Sequence, residues 1–208
     1  DDWREVGPEF RDDVGDPVRR DHAGWGAAGR YVNTGGRNDI VAAKVSLDGA
    51  NVCFYVRTRE PLTPRTGPNW MLLFIDADQN PTNGWLGYDV VVNRTAAAPG
   101  RARLERHQGT GYRWGEAVEI DCREAGNELE LSIPLAALGL ARPPAWLDFK
   151  WADNILQTGE WSDFTLNGDA APNDRFNYRA RWGNAPGRVP SRQNASLPST
   201  VLNPTHPF

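Results

Sequence analysis

The chain has 208 residues, a formal charge of −4, nine tryptophans and two cysteines. A chain of this length buries about 70% of the surface its unfolded form exposes, so it needs no disulfide framework to fold. The acidic balance excludes a basic nucleic-acid face and a polybasic membrane anchor, and no run approaches the ~18 apolar residues of a membrane span. Opening on Asp1, without methionine, it reads as a processed or excised polypeptide.

Residues 1–38 are rich in Gly, Asp and Arg, lack a sustained period, and read as an irregular lead-in packed on the rest of the chain. From Asp39 the period becomes two. "DIVAAKVSLD" sets Ala43, Val45 and Leu47 against Lys44 and Ser46, and "NVCFYVRT" sets Val52, Phe54 and Val56 against Cys53, Tyr55 and Arg57. "MLLFI" is apolar throughout, as expected of a central strand covered on both faces. "YDVVVN", "RARLERH", "EAVEIDC" and "NELELSI" continue the series; "PLAALGL" offers one helical turn closed by Gly139, and "WLDFKWAD" returns to strand. Turn signals at Asp48-Gly49, Asn83-Gly84 and Gly126-Asn127 separate the runs. The expected fold over residues 39–181 is one all-β domain, an antiparallel β-sandwich of jelly-roll or immunoglobulin-like form with short helical turns. Residues 182–208, dense in Pro, Ser and Asn, read as a linker or strap.

The two cysteines leave alternatives open. A bridge between Cys53 and Cys122 would contribute on the order of 4 kcal/mol in the chain-entropy model. Their strand phases disagree, however: Cys122 goes with Val118 and Ile120, whereas Cys53 alternates with Phe54 and Val56. Two separate thiols are the other reading. Asn93-Arg94-Thr95 and Asn194-Ala195-Ser196 match the glycosylation tripeptide, a pattern common by chance.

The hairpin tip in "FIDADQNPTNGWLGYD" carries Asp76, Asp78 and Asn80 at alternate positions, with Asp89 on the returning strand. Oxygens at such spacing converge on a hard cation if the backbone curls. Pro81 and Tyr88 stand where an EF-hand needs glycine and glutamate, so this is no EF-hand. An Asx-rich turn is the plain alternative. Structural calcium is the expectation, because Asp76, Asp78 and Asp89 crowded together repel without a cation.

"VAAKVSLDGANVCFYVRT", "NWMLLFIDADQNPTNGWLGYDVVVN", "LSIPLAALGL" and "FKWADN…EWSDF…FNYR" resemble, in order, the family 9 carbohydrate-binding modules and the wider DOMON-like sandwiches, over about residues 39–179. The resemblance implies a non-catalytic sandwich with structural calcium, attached to a secreted, periplasmic or cell-surface bacterial enzyme that degrades polysaccharide. It makes Asp76 and Asp78 calcium ligands and places Trp161 where that family has a stacking tryptophan. The strand before "FID" departs from better-known members, which are acidic and polar there, and Trp70 is only a substitute for their second tryptophan.

A sugar site needs flat rings against C–H faces and polar side chains for hydroxyls. The candidates are Trp161 in its polar loop, Trp85 projecting after Asn83-Gly84, Trp70 at a strand opening, and Asp153, Asn154 and Asp163 for hydroxyl contacts. Trp146 and Trp151 read as core. No phosphate loop, Cys/His metal cluster or nucleophile elbow is present, and His22, His107 and His206 are scattered. Three other readings remain: a sandwich bracing a neighbouring catalytic domain, a hydrolase built on Asp153 and Asp163, and a haem site on Met71.

Overall fold

The computed structural model describes residues 2–18, 20–24, 26, 29–33, 35–182 and 201–202. The fold is nearly all β. Strands are β1 (Phe10–Arg11), β2 (Arg20–Ala23), β3 (Arg30–Asn33), β4 (Ile40–Leu47), β5 (Asn51–Thr58), β6 (Leu72–Asp76), β7 (Val90–Val92), β8 (Arg101–Arg106), β9 (Val118–Ala125), β10 (Glu128–Pro134), β11 (Trp146–Asp153), β12 (Asp169–Ala171), β13 (Asn177–Arg181) and β14 (Val201–Leu202). Among the described residues the single α-helical turn, α1, is Asp163–Leu166.

All pairings are antiparallel, in the order β1-β4-β5-β10-β9-β8-β7-β6-β11-β13-β14, with β12 also on β11 and a separate β2-β3 hairpin. The sheet folds over on itself. Val45, Phe54, Leu131 and Ile120 from one half meet Leu73, Val92, Phe149 and Tyr178 from the other in one core. Burying such side chains stabilises by about 1.5–3 kcal/mol each, which is why the period of two fixes the register.

"MLLFI" is central, as its composition predicts. Leu73 and Ile75 enter the main core, while Leu72 and Phe74 face a second cluster on the opposite side, with Trp85, Tyr88, Val91, Ile155 and Phe164. That cluster raises the hairpin tip and the 155–168 segment above the sheet, and the site sits there.

The lead-in is more ordered than its composition suggests. β1 extends the sheet beside β4, and Asn33 Nδ2 donates to the Gly168 carbonyl at 2.6 Å. The strap expected at 182–208 lies mostly outside the described residues, as does the Asn194 tripeptide. Asn93 is buried, donating to the Met71 carbonyl and accepting from Arg65, so it is closed to glycosylation. Both cysteines are free: Cys122 points into the core and Cys53 to the other face, as their phases required.

Candidate functional site

β6 ends at Asp76, and the chain turns through Ala77–Tyr88 before Asp89 leads into β7. Asp76, Asp78 and Asp89 converge, with one oxygen of each within 4.8 Å of the others. Two ligands of one calcium, at ~2.4 Å each, lie at most about 4.8 Å apart, so the spacing fits that ion. The backbone orients the carboxylates: Gln79 N–H donates to Asp76 Oδ1 at 2.7 Å, Ala77 and Asp78 N–H to Asp89 Oδ2 at 2.9 and 3.3 Å, and Asn80 N–H to Asp78 Oδ1 at 2.8 Å. Burial and the neighbouring carboxylates push Asp76 up to about 7, and burial also raises Asp89. Among the described residues none of the three has an ion pair. The residues present therefore fit a divalent cation. Asn80 departs from the expectation: its Oδ1 accepts from both the Thr82 amide and hydroxyl, so its oxygen is engaged in its own turn.

A second aspartate cluster was not foreseen. Asp12, Asp16 and Asp169 also lie within 4.8 Å of one another, where the lead-in crosses β12. Arg20 Nη2 pairs with Asp16 at 2.9 Å, and its Nη1 donates to the Phe164 and Thr165 carbonyls. Lys150, fully buried, donates to the Pro172 carbonyl and lies 5.2 Å over the Phe164 ring, within electrostatic reach of Asp12 and Asp169. Burial pushes Asp12 up to about 8 and Lys150 down to about 7. The sequence held one signal for this: a lysine inside the apolar strand "LDFKWAD", in a chain with only one other, Lys44.

The expected sugar ligands separate into two groups. Trp161 is 38% exposed, in the loop before α1, and Arg175 lays its guanidinium 5.1 Å from the ring centroid. One face of the indole is thereby braced. Trp85, expected to project, is only 5% exposed. Reciprocal amide bonds between Trp85 and Tyr88 (3.0 and 2.9 Å) close a tight turn that tucks its ring against Phe74, Tyr112 and Phe164. Gly84 permits this turn: its φ is +67°, and a Cβ there would meet the Tyr88 carbonyl at 2.4 Å. Trp70 is core, its Nε1 donating to the Thr63 carbonyl and its ring under Arg65.

The polar candidates are also corrected. Asp153 is fully buried and holds four contacts: Arg37 Nε and Nη2 at 3.1 and 2.8 Å, and the Asn38 and Met71 amides at 3.0 and 2.8 Å. Asp163 is buried at the start of α1, accepting from Gln157 N–H and Asn167 Nδ2. Buried in this way, neither is open to a sugar. Asn154 alone stays half-exposed, in a left-handed turn with φ +59° and its amide bonded to the Asn69 carbonyl. Met71 is fully buried. Trp146, read as core, is 45% exposed because it sits one residue out of phase with Leu147, Phe149 and Trp151.

Beside the hairpin tip a polar groove of about 460 Å³ is lined by Thr82, Asn83, Asp89, Arg106, His107 and Thr110. No family model matches the chain, and neither curated proteins nor solved structures provide a significant match.

Proposed function

We propose that the chain is a non-catalytic carbohydrate-binding domain acting beside a polysaccharide-degrading enzyme outside the cell, with calcium stiffening its hairpin. The observation carrying this reading is the Trp161 indole. It is exposed in a polar loop, braced on one face by Arg175 and flanked by Glu160 and Ser162. A flat ring with polar neighbours suits the C–H face and hydroxyls of a sugar, and Asn154 adds an amide on the same connection. Binding at one ring is weak, because few contacts offset the entropy of association. Its use is to raise the local substrate concentration for an attached enzyme.

The test is retention on immobilised or soluble glycans by affinity electrophoresis. Trp161→Ala should weaken retention while melting stays unchanged; retention equal to the parent would overturn the reading. A second reading, a sandwich bracing a neighbouring domain, draws on Trp146, an exposed indole at the start of β11. If Trp146→Ala, and not Trp161→Ala, weakens association with a catalytic domain, the brace takes precedence.

A further inference from the structure

The outer face of the β4-β5-β10-β9 layer carries a groove that uses none of the residues around Trp161. Strand pairing sets Ser46 opposite Cys53, Cys53 opposite Ser132, and Ser132 opposite Asp121. Four outward side chains, three of them very small, thus form a row across four adjacent strands. The row spans three strand spacings, roughly 14 Å. The adjacent row, Lys44, Tyr55, Glu130 and Arg123, is taller and walls the trough on one side.

The lead-in supplies an aromatic end. Trp3 stacks on Tyr55 with ring centroids 5.2 Å apart and planes at 28°. Lys44 Nζ fixes the Trp3 carbonyl at 2.7 Å, and the Tyr55 hydroxyl donates to Glu128 at 2.7 Å. The open trough has a volume of about 420 Å³ and reaches from Trp3 and Val6 to Asp121 and Arg123. Small-molecule sites run from about 300 to 1,000 Å³.

We propose that this trough is a second binding site, for a short stretch of a neutral, hydroxyl-rich glycan. Trp3 offers the flat apolar surface. Ser46 and Ser132 both donate and accept, Glu130 accepts from hydroxyls, and Arg123 donates. The lining is acidic: Asp48, Asp121 and Glu130 face Arg123, and Arg101 pairs with Asp121 from outside it. An anionic ligand is disfavoured, whereas a neutral polyol finds hydroxyl partners along the floor. The trough shares the ligand class of the proposed function but depends on different residues.

Cys53 supplies a local readout, because its free thiol lies on the trough floor while Cys122 is buried in the core. Native protein is alkylated with iodoacetamide at mildly alkaline pH, alone and with cellopentaose, xylopentaose, mannopentaose or laminaripentaose. A glycan at ten times its Kd leaves about one-eleventh of the sites open, so Cys53 alkylation slows about tenfold. Amide shifts of Ser46, Ser132 and Asp121 during titration give a second readout. Protection should persist in Trp161→Ala and disappear in Ser132→Tyr, which plugs the trough with a residue that strands accept. Unchanged alkylation and unmoved amides with every glycan overturn the trough. If Trp161-dependent retention survives that result, the proposed function stands alone. Protection without any effect of Trp161 leaves the trough and removes the Trp161 reading.

Discussion

The two aspartate clusters are nearly equal in spacing and opposite in how their charge is met. Asp12, Asp16 and Asp169 lie under the lead-in with Arg20 bonded to one of them and Lys150 near the others. Asp76, Asp78 and Asp89 have backbone amides and no ion pair among the described residues. Amides orient a carboxylate without cancelling its charge. The first cluster has two cations beside it, whereas the second has Arg106 within reach of Asp89 but not paired with it, and is the one proposed to take a cation from solution. Three acids in proximity are therefore poor evidence of a metal by themselves; the surrounding cations decide.

The sharpest way to break that contrast is Lys150→Met. Removing one partner of a buried charge cluster costs about 3–5 kcal/mol, and the loss should be the same with calcium or chelator. Denaturant unfolding measures it, and parent-like stability would show that Lys150 does not support the cluster. The hairpin should respond in the opposite manner. Calcium at a hundredfold excess over Kd stabilises by about 2.7 kcal/mol, a melting shift of roughly 5–10 °C for a domain of this size. Asp76→Asn should abolish the shift, and calorimetry with and without chelator reads it.

The pH dependence sharpens the same contrast. With no cation bound, Asp76 is raised from 3.8 to about 7, so the folded state holds its proton more tightly than the unfolded state. That contribution is fully present below 3.8 and is lost as pH rises through about 7, so chelated protein should lose stability across this window. Calcium needs the ionised carboxylate, and its affinity should rise over the same interval. Titration calorimetry at pH values spanning that window checks the slope; a flat affinity would remove Asp76 from the ligand set. The smallest effect belongs to Asp78→Asn. Asp78 is exposed, so metal-free stability should move within about 0.5 kcal/mol while calcium weakens on the order of tenfold.

What the sequence disclosed was governed by local pattern. The alternating strands, the doubly covered "MLLFI" and the opposed phases of Cys53 and Cys122 follow from a period of two, which needs only near neighbours. The tip aspartates were visible because all three lie within one hairpin. Asp153 read as a candidate for sugar hydroxyls because its engagement depends on distant chain: Arg37 stands 116 positions before it. Trp85 was misjudged for a different reason. A Gly beside an indole signals a turn but not the direction in which the turn folds, and here it closes over Phe74. The trough escaped notice because its row belongs to four strands and becomes contiguous only once they pair.

The Asp153 clasp also bears on where the folding unit begins. Arg37 and Asn38 precede the first long strand, yet they supply three of the four hydrogen bonds to that buried carboxylate. A polypeptide trimmed to start at Asp39 would keep every alternating strand and leave an unpaired charge beneath β6. On the scale of other broken buried pairs, that shortening costs about 3–5 kcal/mol, a large part of the 5–15 kcal/mol that holds a typical domain folded. Anyone grafting this sandwich onto a different protein must carry the lead-in with it, because the boundary suggested by composition cuts through the clasp.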